Sequence, residues 1–127
     1  MNQEKKQLDL NLSNPRKVEK PWGYELVYAE TEKYAGKILF VQKGQQLSVQ
    51  YHKVKDETMY LYRGVAELEI RRPQGTSQVI KMSAGEAYRI TPGTVHRLTA
   101  LEDCEILEVS TAELDDVVRL EDRYGRT

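Results

Sequence analysis

The sequence predicts a single all-β domain folded as an antiparallel jelly-roll barrel. Short apolar runs alternate with turn residues about every eight to twelve positions from Tyr24 onward, which is typical of sandwiches and barrels. The connections are too short for the crossover helices that parallel strands need, so neighbouring strands are expected to be antiparallel. The chain has 127 residues, enough for one domain, and its eight tyrosines favour strands.

The expected strands share a short apolar run that ends at a turn signal, such as Gly64. The clearest alternation lies in 65–71, where Ala66, Leu68 and Ile70 share one face and glutamates occupy the other. The predicted strands are 24–29, 37–42, 46–53, 57–62, 65–71, 77–82, 86–90, 95–99 and 105–109.

The two ends of the chain differ from this pattern. Residues 1–20 are polar and are expected to form a loosely ordered arm, with an edge strand around 8–12, before the barrel domain at 21–127. Near the other end, 111–120 carries apolar residues at helical spacing, which predicts a short C-terminal helix.

Composition excludes several function classes. A net charge of −1 argues against a general nucleic-acid binder, which would carry a strong basic excess. The single cysteine, Cys104, cannot form an internal disulfide. No apolar run approaches the ~18 residues of a membrane span, and the polar start lacks the apolar core of a secretory signal. A cytoplasmic protein without membrane or nucleic-acid partners is therefore expected.

Four side chains are expected to meet inside the barrel. Gln50 and His52 are two residues apart and therefore point to the same face of a strand. Glu57 begins the next strand of an expected hairpin, which can bring it beside His52. His96 opens a strand just after the turn at Gly93. The sequence thus predicts a cluster of two imidazoles, one carboxylate and one amide.

This cluster has the donor atoms of a transition-metal site. Two imidazole nitrogens and two oxygens suit Zn²⁺, Mn²⁺, Fe²⁺, Co²⁺ or Ni²⁺, with Zn²⁺ or Mn²⁺ favoured, whereas oxygen ligands alone would suit Mg²⁺ or Ca²⁺. The same residue types are also compatible with surface positions in a strand-rich chain. The spacing of the surrounding glycines favours the metal site.

Two motifs that contain these residues resemble the signatures of the cupin superfamily. The first motif consists of a glycine, a Gln-x-His, a glutamate and a second glycine. The second motif consists of a glycine, a turn with another glycine, and a histidine. In this sequence they comprise Gly44, Gln50, His52, Glu57 and Gly64, followed by Gly85, Gly93 and His96. The resemblance implies a double-stranded β-helix barrel with Gln50, His52, Glu57 and His96 as ligands of one divalent metal ion.

Further segments resemble the mannose-6-phosphate isomerase (type II) domain. They are Lys20-Pro21-Trp22-Gly23 at the domain start, the Pro-Gly-Thr-x-His-Arg-Leu of 92–98, and the tail 116–126. The residues at 36–39 and 55–58 are more similar to small stand-alone cupins. The resemblance implies aldose–ketose isomerisation of a sugar phosphate, with the phosphorylated sugar as the small-molecule partner.

Two other functions remain open at this stage. His52, Glu57 and His96 alone would form the two-histidine, one-carboxylate set of a non-haem iron dioxygenase. The chain could instead be a non-catalytic sugar-binding cupin module. The general base of an isomerase is not evident from the sequence.

Lys37 is the remaining candidate for substrate binding or catalysis. It shares strand parity with Leu39 and Val41, so its side chain either enters the barrel and holds a phosphate or extends to the rim. A homodimer is also expected, because a small barrel leaves open sheet edges that the N-terminal arm could pair across a two-fold axis.

Overall fold

The computed structural model describes residues 12–127, which form two antiparallel sheets without any helix. The sheets face each other as the two halves of a barrel, so the all-β prediction is confirmed. The eleven strands of this part of the chain are β1 Arg16–Lys20, β2 Gly23–Glu30, β3 Tyr34–Val41, β4 Val49–Tyr51, β5 Glu57–Arg63, β6 Val65–Arg71, β7 Ser77–Ser83, β8 Ala87–Ile90, β9 Val95–Ala100, β10 Cys104–Thr111 and β11 Val118–Glu121.

The order of strands in each sheet decides which side chains meet. One sheet runs β1-β2-β3-β10-β5-β8 and the other β11-β4-β9-β6-β7. β4 and β5 follow each other in the chain but lie in opposite sheets, so they do not form the hairpin expected before Glu57. The residues around the β4–β5 connection consequently face each other across the barrel interior.

Alternation along the strands builds the core between the sheets. In β9, Leu98 and Ala100 are buried while their neighbours are only partly covered. The core cluster also includes Leu39, Met59 and Ile106 from three strands of the other sheet. Burial of these apolar side chains holds the two sheets together.

The turn between β5 and β6 requires a glycine. Gly64 has a φ of +105°, and a Cβ at this position would lie 2.4 Å from the main-chain oxygen of Asp103 and 2.9 Å from Sγ of Cys104. Only a residue without a side chain fits so close to the backbone in this conformation. The last glycine of the first sequence motif is thus explained by packing.

The predicted C-terminal helix is wrong. Residues 112–117 form turns, and β11 follows and pairs with β4. The sheet edge at β4 offers unpaired backbone groups, and Leu114 and Val117 pack toward the barrel cavity from this extended path. Tertiary contacts therefore outweigh the local helical spacing.

The last part of the expected arm, residues 16–20, forms a strand of the barrel. β1 pairs with β2 along its whole length, from Arg16 opposite Val27 to Lys20 opposite Gly23. The edge strand expected around 8–12 lies outside the described residues, except for exposed Leu12. Within residues 12–127 there is no helix long and apolar enough to cross a membrane.

Candidate metal centre

Three of the predicted ligands come together in the barrel interior. His52, Glu57 and His96 each offer one donor atom, and these atoms lie within 4.8 Å of one another. His52 follows β4, Glu57 begins β5 and His96 lies in β9. All three side chains are buried. The cluster therefore joins both sheets at one point.

Gln50 lies beside this triad. It is the register partner of His96 on the neighbouring strand, and residues paired across antiparallel strands point to the same face. Its Oε1 accepts a hydrogen bond from the Ser48 hydroxyl at 3.2 Å. The structure thus places all four predicted ligands on adjoining positions.

Both imidazoles are oriented by main-chain oxygens. Nδ1 of His52 lies 2.5 Å from the carbonyl oxygen of Asp116, and Nδ1 of His96 lies 2.8 Å from that of Thr94. A carbonyl oxygen can only accept, so each Nδ1 carries the proton. Each Nε2 then keeps its lone pair, as a metal-binding histidine requires.

A backbone hydrogen bond links the second motif to the first. The N–H of Gly93 donates to the carbonyl oxygen of His52 at 2.7 Å. Gly93 has a φ of +83°, which favours glycine in the turn before β9. This bond fixes the distance between the two histidine-bearing segments.

The triad contains a buried nitrogen atom without a hydrogen-bond partner. This atom is His52 Nε2, which lies 2.5 Å from Glu57 Oε1, but with the imidazole proton on Nδ1 neither of the two atoms has a proton to donate. Buried polar atoms in proteins are nearly always satisfied. A divalent cation coordinated by the imidazole nitrogen and the carboxylate would satisfy both, so the residues fit a metal ion.

The ionisation states favour the same conclusion. Burial lowers the pKa of His96 to about 4 despite the hydrogen bond to Thr94, so the imidazole is neutral at pH 7. Burial would raise the pKa of Glu57, but His52, Glu108 and Lys55 outweigh it and lower the pKa to about 2. A neutral imidazole and an ionised carboxylate are the forms that bind metals.

A chain of buried charges extends from the triad along the cavity wall. Lys55 Nζ lies 3.9 Å from Glu57 and 3.2 Å from Glu108. Lys37 Nζ lies 3.6 Å from Glu108 and 3.2 Å from Glu25. These side chains alternate in sign, so each buried charge has an opposite neighbour.

Lys37 therefore points into the barrel rather than to the rim. Burial would lower its pKa, but Glu108 and Glu25 outweigh this and raise the pKa above its ordinary value. The side chain remains an ammonium at neutral pH. It can hold an anion or donate hydrogen bonds, but it is a poor base.

Three further residues of the cavity wall, Glu25, Lys55 and Glu108, are not predicted from the sequence. In β10 the apolar residues Leu107 and Val109 face outward, whereas Glu108 shares the buried face with Ile106. The hydrophobic alternation of this strand therefore predicts burial of the face that carries Leu107 and Val109, whereas the structure buries the opposite face. Only Glu25 has a usable sequence signal for a buried charge. It lies on the same face of the predicted strand 24–29 as the apolar residue Val27.

Glu108 has the surroundings of a proton carrier. Its side chain is buried, and burial together with the neighbouring Glu57 raises its pKa, against the influence of Lys37 and Lys55. A carboxyl group held between two ammonium groups and a metal ligand can exchange a proton with a substrate bound beside it.

These groups line one cavity of about 390 Å³. This volume lies in the range of small-molecule sites. Its wall includes Lys37, Gln50, His52 and Glu57. His96 does not line the cavity, but its donor atom lies within 4.8 Å of those of the other two members of the triad. The cavity thus brings a potential substrate to the candidate metal ligands and to Glu108.

Comparison with known proteins identifies the family. Residues 7–122 match the family described as mannose-6-phosphate isomerase C-terminal. Mannose-1-phosphate guanylyltransferase ManC of Salmonella typhimurium is 36% identical over 117 residues, which cover 87% of this chain and 23% of the relative. Xanthan biosynthesis protein XanB of Xanthomonas campestris is 32% identical over 117 residues, with coverages of 88% and 24%. The chain spans about a quarter of these relatives.

Solved structures confirm the fold. Oxalate decarboxylase OxdC of Bacillus subtilis superposes with a TM-score of 0.75 at 21% identity, covering 92% of this chain and 35% of that one. KdgF from Halomonas superposes with a TM-score of 0.66 at 19% identity, covering 81% and 91%. The barrel, the two motifs and the family match agree: the chain belongs to the mannose-6-phosphate isomerase C-terminal family, within the cupin superfamily.

Proposed function

We propose that this chain is a metal-dependent isomerase that interconverts the aldose and ketose forms of a sugar phosphate. The observation that carries the proposal is the unpartnered Nε2 of His52 within a buried two-histidine, one-carboxylate triad beside a cavity of substrate size. The family description and the relatives' names both refer to phosphorylated mannose, which supports a hexose phosphate as the substrate class.

The metal would be held by His52, Glu57 and His96, with Gln50 as a fourth, neutral ligand. A divalent ion bound there supplies a Lewis acid that polarises the substrate's carbonyl and hydroxyl oxygens. One similar structure concerns the Mn(II) centres of Bacillus subtilis oxalate decarboxylase, a cupin with a TM-score of 0.72 to this chain at 19% identity. Mn²⁺ or Zn²⁺ is the favoured ion.

The reaction needs one proton moved from C2 to C1 and one from O2 to O1. Glu108 lies against Glu57 and between the two ammonium groups, which positions it to accept the carbon-bound proton and return it. Lys37 and Lys55 stabilise the ionised form of Glu108 during that transfer.

The test is turnover of mannose 6-phosphate and fructose 6-phosphate, in both directions, on protein of measured metal content. In D₂O, an enediol route through a protein base introduces deuterium at the carbon that gains a proton, which NMR detects. The His52→Ala/His96→Ala double variant should be inactive, and Arg72→Gln, which changes an exposed arginine outside the cavity wall, should be unaffected.

The other outcomes separate the alternative functions. Saturable sugar-phosphate binding by metal-loaded protein without turnover would replace the isomerase with a non-catalytic binding module. Substrate-dependent oxygen consumption would indicate a dioxygenase instead. Either result overturns the proposal.

A further inference from the structure

The cavity carries a second group of charges away from the metal triad. Its wall includes six cationic and four acidic side chains. Four of the cations come from β1, β11 and the segment after β11. They lie outside the ion-pair chain that ends at Glu57. The one link between the two groups is a 4.0 Å contact of Lys20 with Glu25. These four, here called the rim cations, are Arg16, Lys20, Arg119 and Arg126.

Two of the rim cations are already neutralised. Arg16 pairs with Glu30 at 3.1 Å. Arg126 makes two charge-assisted hydrogen bonds to the Asp122 carboxylate, at 3.0 and 2.8 Å. Their charges are satisfied within the protein, so these two side chains are not free to bind an anion.

Lys20 and Arg119 are different. The nearest carboxylate to Lys20 is Glu25, at 4.0 Å, and Glu25 is closer to Lys37. Among residues 12–127, no acidic side chain lies within 4.0 Å of Arg119, whose Nη1 donates to the main-chain oxygen of Thr127. Its Nε is buried and has no hydrogen-bond partner. A buried guanidinium donor without an acceptor is costly, and a bound anion would satisfy it.

The rim cations also act on one another. Burial lowers the pKa of Lys20; Glu25 opposes this, while Lys37, Arg119 and Arg126 lower it further. Like charges held this close repel one another unless an anion lies between them. Pairing of β11 with β4 nevertheless keeps Arg119 at the cavity, and the Tyr124 hydroxyl, which donates to Gln45 Oε1 at 2.5 Å, anchors the segment that carries Arg126.

We infer that Lys20 and Arg119 form a subsite for a phosphate monoester dianion, separate from the metal triad. This inference rests on the proposed function and assigns the residues that hold the substrate's phosphate. The phosphate does not react during isomerisation, so it acts as a binding handle that orients the sugar toward the triad. The planar guanidinium can donate two parallel hydrogen bonds to phosphate oxygens, and the ammonium adds a point charge.

The experiment compares the affinities of mannose 6-phosphate, mannose and inorganic phosphate by calorimetry and ³¹P NMR, on protein as purified and after chelation. Arg119→Gln and Lys20→Gln are the test variants. The matched controls are Arg72→Gln and Lys81→Gln, which remove one exposed charge each, outside the cavity wall. Thermal melting confirms that each variant is folded.

Each test variant should weaken mannose 6-phosphate binding about tenfold or more, with unchanged affinity for mannose. The control variants should match the wild type, and chelation should preserve phosphate binding. Equal affinity of the wild type for mannose 6-phosphate and mannose, or loss of phosphate binding on chelation, would overturn the subsite. If phosphate binding depends on Lys20 and Arg119 while turnover is absent, the subsite stands and the isomerase proposal fails.

Discussion

Asp116 holds His52 in place with both its backbone and its side chain. Its carbonyl oxygen lies 2.5 Å from Nδ1 of His52, and its carboxylate accepts the N–H groups of Lys53, Val54 and Lys55 at 3.1, 2.7 and 2.9 Å. The backbone hydrogen bonds lower the pKa of Asp116 to about 2, so the carboxylate is ionised at every physiological pH. One residue thus orients the imidazole and caps the loop that leads to Glu57.

Replacing Asp116 by alanine should weaken the metal centre without removing a ligand. Three loop N–H groups lose their acceptor, so the loop between His52 and Glu57 becomes less ordered. We expect a lower melting temperature and a metal affinity reduced about 10- to 100-fold. Calorimetry and a competition titration with a chromophoric chelator measure the two effects. Asp115→Ala is the control, and an equal loss there would contradict the assignment to the Asp116 side chain.

The four ligands should differ in their importance for metal content. His52→Ala and His96→Ala should lower affinity strongly, because water replaces a nitrogen donor poorly. Gln50→Ala should have a milder effect, since a neutral amide oxygen is the weakest donor. Arg97→Ala should keep full metal content, because Arg97 extends toward Glu121, with Nη2 3.8 Å from its carboxylate. Elemental analysis of purified variants gives the ranking, and equal metal in the wild type and the histidine double variant would rule out the site.

The stability of the chelated protein should fall between pH 6.5 and 4. The pKa of His96 is about 4 in the folded protein, below its ordinary value of 6.5, so the unfolded chain binds more protons in this window and acidification favours unfolding. The expected loss is on the order of 2–3 kcal/mol. Glu108, with its raised pKa, titrates in the opposite sense.

The pH measurement therefore compares two proteins. Urea unfolding of the wild type and of His96→Gln is followed across the pH range, and the difference between the two curves isolates His96. The wild-type curve should be the steeper one between pH 6.5 and 4. Parallel curves would show that His96 titrates normally. Below pH 4.5 both proteins should lose further stability, because the pKa of Glu57 is about 2 in the folded state.

Glu108→Gln should reduce turnover and leave binding largely intact. The amide keeps the size of the side chain and can still accept hydrogen bonds from Lys37 and Lys55, but it cannot carry the proton. We expect kcat to fall about 100-fold or more, with small changes in KM and metal content. Glu105→Gln is the matched control on the same strand, where Glu105 pairs with Arg63 at 3.0 Å outside the cavity. An unchanged kcat would exclude Glu108 as the proton carrier.

The predicted homodimer is tested at the edge of the larger sheet. β1 is an end strand of the described sheet, and end strands present unpaired backbone groups to a second chain. We expect a dimer in sedimentation velocity at micromolar concentration. Deletion of residues 1–14 keeps β1 and should weaken association if the start of the chain takes part. A monomer for the full chain at these concentrations would contradict the prediction.

The sequence predicts the strands of this barrel well because strand period and turn chemistry are local properties. The alternation in Val65–Arg71 depends only on neighbouring residues, whereas the close contacts that require glycine at Gly64 come from Asp103 and Cys104 in the folded chain. The shared face of Gln50 and His52 follows from the same local period, whereas the resemblance to the cupin motifs is what adds Glu57 and His96 to the predicted set.

Tertiary structure alone decides the C-terminal segment and the buried charges. Residues 111–120 have helical spacing, but pairing of β11 with β4 and the capping by Asp116 make the extended path more favourable. Glu108 is buried because Lys37 and Lys55 come from other parts of the chain to neutralise it. An ionisable side chain is tolerated in a core only when opposite charges surround it, and those charges meet only once the chain has folded.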